Sequence, residues 1–132
     1  MHKGFIIAGS LLLALAVILG AFGAHGLKQM LEEEYVTTFE TGVRYHFYHA
    51  FALLITGILY ERYASRGLLY AGYCFAGGLL LFSGSLYLLT ILKATSTVGL
   101  RGIGIITPFG GLLFIAGWIL LAFAVGRKKP AT

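Results

Sequence analysis

Aspartate is absent from this 132-residue chain, and all five acidic residues are glutamates: Glu32, Glu33, Glu34, Glu40 and Glu61. With no aspartate, a Ser-His-Asp triad cannot be assembled. Cysteine is nearly absent too. The single Cys74 lies inside an apolar run, which excludes an intrachain disulfide and a CxxC site. Charge of any sign is scarce, at 11% of residues, too little to build a water-facing shell around a soluble core. The ten Lys and Arg give a net charge of +5, but they fall in short clusters between apolar segments. No basic face with interleaved aromatics exists to track phosphates, so nucleic acid is excluded as a partner and the clusters read as a topology signal.

What the chain does have is apolar length. Hydrophobic residues make up 58% of it, which places it among membrane proteins. Four apolar stretches are predicted as spans, at about 5–24, 38–60, 68–92 and 103–125. Each is long enough to cross a hydrocarbon core at about 1.5 Å per residue. The first follows Lys3 and contains small residues that a cleaved signal peptide would also show, but its apolar run is too long for a signal core and it is read as a retained helix. The acidic connector 27–36 is expected to form a turn or two of interfacial helix. Thr37-Thr-Phe-Glu40 has capping-box spacing, so the second span is expected to start near Thr38. Glu40 and Arg44 stand four apart in the order that favours a helical ion pair. Pro108 is expected near the first turn of the last span, where its missing amide costs little. The whole is predicted to be one all-α domain, 1–132, an integral membrane four-helix bundle.

Glycine is abundant, 19 residues of 132 against an average usage of roughly 7%. In lipid, helices gain little from burying apolar surface against each other, so close approach through small residues carries much of their association. Gly72 with Ala76, and Gly77 with Gly84, are expected to share a tight seam.

The ionisable residues concentrate between Gly20 and Ala50, which holds His25, His46, His49, Glu40 and Arg44. His46 and His49 are three apart, so their rings are expected on one helix face, with His25 at the same membrane depth. Polar groups inside a bilayer are costly unless paired, so this His/Glu/Arg edge, with Tyr45, is the candidate site. Three chemistries compete for it. The first is hydrogen bonding between helices, with His25 or His49 donating to carbonyls, Ser or Thr. The second is metal or haem ligation, although the spacing matches no recognised ligand pattern. The third is a proton-relay, quinone or lipid-headgroup site. Ser83-Gly84-Ser85 reads as helix packing rather than a nucleophile. Thr107-Pro108-Phe-Gly110-Gly111 lacks the Lys and preceding strand of a phosphate loop and reads as a glycine packing face. Trp118 falls mid-span, where its indole N–H is expected to bond internally.

Gly20-Ala-Phe-Gly-Ala-His25-Gly26, the run Gly42-Val-Arg-Tyr45-His46-Phe-Tyr-His49-Ala50, Phe82-Ser83-Gly84-Ser85-Leu-Tyr87 and Thr107-Pro108-Phe-Gly110-Gly111 with Phe114 and Gly117-Trp118 occur in this order. Together they resemble the small four-span family called domain of unknown function 423, which includes eukaryotic transmembrane protein 256. The resemblance covers nearly the whole chain. It implies a bacterial inner-membrane or mitochondrial protein with no established activity, and it marks His25, Tyr45, His49, Ser83, Gly84, Ser85, Tyr87, Thr107, Pro108, Gly110, Gly111, Gly117 and Trp118 as motif residues. The segment from Lys93 to Ile106 is longer than the family pattern.

The functional expectation is a small accessory or structural subunit that binds a membrane partner or lipid, without enzymatic chemistry and with no cofactor. The rivals are a metal, haem or quinone module at His25, His46 and His49, and a small oligomeric transporter or channel. Self-association or a larger membrane complex fits the glycine content. With four spans both termini share a side, which carries six positive residues (Lys3, Arg62, Arg66, Arg127, Lys128, Lys129) against four on the other (Lys28, Arg44, Lys93, Arg101). A C-terminal tag is therefore expected on the cytoplasmic or matrix side, shielded from protease and impermeant thiol reagents in intact cells, spheroplasts or mitoplasts.

Overall fold

Apolar, glycine-rich sequence without strand punctuation yields helix throughout the described residues. The computed structural model describes residues 1–95 and 101–127, so part of the expected Lys93–Arg101 loop and the basic tail after Arg127 lie outside them. Four long helices result: α1 Lys3–Met30, α2 Glu33–Tyr63, α3 Arg66–Ala94 and α4 Arg101–Arg127. Among the described residues α1, α3 and most of α4 are long and apolar enough to cross a membrane. α2 falls outside that class: Glu33, Glu34 and Glu40 occupy its start, and the stretch beyond them is made less apolar by Arg44, Tyr45, His46, Tyr48 and His49. The connections are shorter than expected. Only Leu31 and Glu32 separate α1 from α2, and Ala64 and Ser65 separate α2 from α3, with the Ser65 hydroxyl accepting from the Leu68 amide at 3.2 Å.

Several local expectations are corrected. The connector 27–36 is not a separate interfacial helix, because α1 continues to Met30 through one π turn, Gly23–Leu27. No capping box forms at Thr37. The helix starts earlier, where Glu33 and Glu34 favour the positive N-terminal end of the dipole, so Thr37 and Thr38 lie inside it and donate back to the Glu33 and Glu34 carbonyls. Glu40 and Arg44 form no ion pair among the described residues. Arg44 is exposed, where such a pair gains little. Pro108 stands two turns inside α4, because that helix begins at Arg101. An interior proline leaves the Gly104 carbonyl, four residues earlier, without its helical donor.

The α1–α2 pair is antiparallel and close. A methyl group placed on Gly9 would lie 3.0 Å from the Ala50 carbonyl, and one on Gly57 would lie 3.1 Å from the Ile6 amide. Farther along, Gly20 faces Val43 and Gly23 faces the Phe39 ring. His2 anchors the start: its amide donates to the Gly57 carbonyl at 2.8 Å, and its Nδ1 accepts from the Phe5 amide. The α3–α4 pair uses the same device, with Gly110 against the Phe82 backbone, Gly78 against Phe114 and Gly117 against Phe75.

The expected single seam through Gly72, Gly77 and Gly84 is not observed. Gly72 receives the Phe5 ring of α1, Gly77 faces Leu113 of α4, and Gly84 meets only its own helix. Gly72 and Gly77 stand five apart on regular helix, so they already face different neighbours, and between Gly77 and Gly84 lies a second π turn, Leu79–Ser83. A π turn widens the helix locally and rotates the residues beyond it, so a seven-residue spacing across it no longer marks one face.

Packing at Gly110 is against backbone, which has no flexible end to yield. Gly110→Ala is expected to lower stability by about 1–3 kcal/mol. Gly102→Ala, with nothing within 4 Å of its Cα substituent, should be neutral or gain up to about 1 kcal/mol of helix propensity. Unfolding midpoints of the two variants in mild detergent measure the difference.

Candidate functional site

The polar side chains foreseen at one membrane edge are distributed along the bundle instead. From the level where Gly23 meets Phe39, His25 lies two residues outward and His49 ten residues inward. At 1.5 Å per residue the two are about 18 Å apart in depth. His25 is exposed in the Gly23–Leu27 π turn, while His46 and His49 are buried in the middle of α2. The expectation of a common depth for the three rings is therefore corrected. An edge is where a helix end falls, and α2 carries its histidines far past that point before it ends. Among the described residues no group of three or more His, Cys, Asp or Glu is placed to hold a metal.

His49 is the centre of the larger cluster. Its Nδ1 donates to the Tyr45 carbonyl one turn earlier at 2.8 Å, and its Nε2 accepts from the Trp118 indole N–H at 3.1 Å. A carbonyl only accepts and an indole only donates, so these partners select one neutral tautomer and use both ring nitrogens. The ring stacks on Phe114 of α4 with centroids 3.5 Å apart and planes 9° from parallel. Phe75 of α3 lies against it in a tilted contact, centroids 5.9 Å apart. Tyr45 stacks along the same column and touches Phe82 at 4.7 Å. A histidine held this way joins three helices and has no free lone pair for a metal.

His46 points elsewhere, although it is only three residues away. Its Nδ1 pairs with the Tyr87 hydroxyl of α3 at 2.8 Å, and its Nε2 has no hydrogen-bond partner although the residue is 3% exposed. Spacing by three placed both histidines on the inward side of α2, but two different neighbours receive them. A cavity of about 220 Å³ lies beside His46, between α1 and α3.

Ser83 and Ser85 make helix-to-helix bonds. The Ser83 hydroxyl donates to the Gly42 carbonyl of α2 at 2.8 Å, and the Ser85 and Thr107 hydroxyls pair between α3 and α4 at 2.5 Å. Ser83 ends the π turn of α3. Glu40 is half-buried and Arg44 exposed, and among the described residues neither bonds to the histidine clusters. Leu12, Phe75 and Phe114 were not singled out as site residues from sequence. Phe114 and Trp118 stand four apart on one face of α4, and that spacing is the signal that pairs them. Phe75 carried none.

A protein-family model described as "Protein of unknown function (DUF423)" matches residues 19–111. The UPF0382 membrane protein YwdK of Bacillus subtilis is 42% identical over 123 residues, covering 92% of this chain and 95% of YwdK. The UPF0382 membrane protein SH2409 of Staphylococcus haemolyticus is 43% identical over 119 residues, 90% of this chain and 92% of its own length. No solved structure matches the chain. Replacing Trp118 with Phe keeps the ring but leaves His49 Nε2 unpaired. The expected cost is about 0.6–2 kcal/mol, measured as a lowered unfolding midpoint in detergent.

Proposed function

Since the chain belongs to the DUF423 family of membrane proteins, we propose that it is a four-span bundle serving as a small accessory or structural subunit, in which α2 also crosses the bilayer. The observation that carries this reading is the outer face of α2. Tyr48, Phe51, Ile55 and Ile58 are each about half exposed and recur at helical spacing, an apolar stripe suited to hydrocarbon rather than water. Exposed Leu11 and Ile18 of α1, Leu80 and Ile91 of α3 and Leu112 and Ile119 of α4 give the other helices similar faces. At 31 residues α2 is about 46 Å long, more than the roughly 30 Å hydrocarbon core, so its Glu-rich start reaches the headgroups or beyond.

The interior favours an accessory role. His49, Ser83, Ser85 and Thr107 spend their hydrogen bonds joining helices, and such a set supplies neither a nucleophile–base pair nor paired carboxylates. We therefore assign no catalysis to it and no metal or haem to His49. The partner, a larger membrane complex or a second copy, would meet the outer faces. A bacterial plasma membrane with cytoplasmic termini fits the sources of the relatives and the positive-charge count.

The test of α2 is a spin label on Ile55→Cys in a Cys74→Ala background. Its relaxation should respond to dissolved oxygen, which enriches in lipid, and not to a water-soluble nickel chelate. The reverse would remove α2 from the bilayer. Purification from the native membrane in mild detergent should bring down a membrane partner, and a lone monomer would end the accessory-subunit reading.

A further inference from the structure

His46 Nε2 is the one buried side-chain polar atom without a hydrogen-bond partner among the described residues, and it belongs to a ring that lines a cavity. Leu12 and Leu15 of α1, His46, and Ala76, Leu80 and Tyr87 of α3 wall that cavity, which is about 220 Å³ and opens between the two helices. The Ser83 hydroxyl, also on the wall, already donates to Gly42.

The Tyr87 contact selects the proton on His46. If Nδ1 carried it, the Tyr87 hydroxyl proton and the Nε2 lone pair would both lack partners. If Tyr87 donates to Nδ1, only Nε2–H is left over, so the second arrangement wastes fewer hydrogen bonds in an apolar setting. Nε2 is then a donor in need of an acceptor. The Leu12 carbonyl of α1 lies beside the ring but falls short of hydrogen-bond geometry to Nε2. A water molecule there would have the Tyr87 and Ser83 oxygens as acceptors besides Nε2–H. The rest of the wall, however, is leucine, alanine and glycine, which favours an acceptor carried on an otherwise apolar molecule.

We propose that the cleft between α1 and α3 binds the carbonyl head of a membrane lipophile, with His46 Nε2–H donating to the carbonyl oxygen. The volume suits a head group. About 150 Å³ accommodates benzene, whereas sites that engulf whole drug-sized ligands run from about 300 Å³ upward. The cleft thus holds one ring and leaves the tail in lipid. Depth separates the two carbonyl sources. His46 lies level with Leu12, nine residues or about 14 Å from Lys3, which is near the middle of a hydrocarbon core of about 30 Å. Phospholipid ester carbonyls belong to the interface, so a prenyl-tailed quinone, whose ring can enter the core, fits the position. The inference rests on the proposed bundle only in needing α1 and α3 in lipid. An accessory subunit without this ligand would still pass the α2 and copurification tests.

The experiment uses the full chain in nanodiscs with ¹⁵N-labelled histidine, titrated with a decyl-tailed benzoquinone. Saturable binding that moves the His46 Nε2 resonance is expected. His46→Leu should weaken it about tenfold, the share of one hydrogen bond, while His46→Gln, which keeps an N–H donor, should retain most of it. A second arm compares ester-linked with ether-linked phosphatidylcholine discs without quinone and needs no variant. A His46 Nε2 shift seen only in ester discs supports the carbonyl site and makes phospholipid its source. No saturable quinone shift together with identical spectra in the two lipids overturns the proposal, as does equal quinone affinity in a folded His46→Leu protein.

Discussion

The bundle depends on how closely its backbones approach at Gly9, Gly57, Gly78, Gly110 and Gly117. Apolar side chains find lipid as comfortable as each other, so contact between helices in a membrane has to come from packing and from hydrogen bonds that lipid cannot supply. Glycine provides the first by removing the side chain that would hold two helices apart. At Gly110 the approach is against the Phe82 backbone itself, and at Gly9 it is against the Ala50 carbonyl. Only after helices come this near can short polar side chains reach across, as Ser83 does to Gly42 and Ser85 does to Thr107. The glycines are thus a precondition for the polar bonds.

The π turn at Leu79–Ser83 belongs to the same arrangement. It sits where α3 shifts its contacts: before it, glycines take rings from α1 and α4, and from its end onward polar side chains bond to α2 and, through Ser85, still to α4. Gly72 accepts Phe5 and Gly78 accepts Phe114, but Ser83 reaches Gly42, and Tyr87 reaches His46. A regular helix keeps one face toward one neighbour along a straight seam. The extra residue of a π turn changes the phase, so one helix can satisfy three partners.

Helix class and apolar length were legible in composition and in the unbroken apolar runs, since few structures other than helix satisfy their backbone in lipid. The motif residues were legible too, but their depth was not. Counting from a sequence places His25 and His49 by distance from a charged connector. That connector proved to be two residues long, with Glu33 already in helix, so every position in α2 lies deeper by one to two turns than the capping-box reading implied. The partners of the histidines were legible only in part. Spacing by three put His46 and His49 on one side, and Trp118 was expected to bond internally, but nothing in the chain linked Trp118 to His49 across 69 positions. The π turns left no mark that composition could reveal, and with them went the register of the glycine seam.

The two histidines of α2 illustrate how a buried polar group acquires a role. Each costs free energy to bring into lipid unless its nitrogens are matched. At His49 the cost is offset on both nitrogens, within α2 at Tyr45 and across the bundle at Trp118, and the stacked Phe114 ring holds the imidazole in place. At His46 it is offset on one nitrogen only, through Tyr87. The same residue type, one turn away on the same helix, therefore contributes a joint in one compartment and an unfilled valence in the other. An apolar side chain of similar size at His46 would remove the unmatched N–H but would also take away the acceptor of the Tyr87 hydroxyl, so the Tyr87 bond accounts for one ring nitrogen and leaves the other without a structural use. The asymmetry between the two rings, more than the presence of histidine as such, distinguishes a structural position from one that faces a ligand.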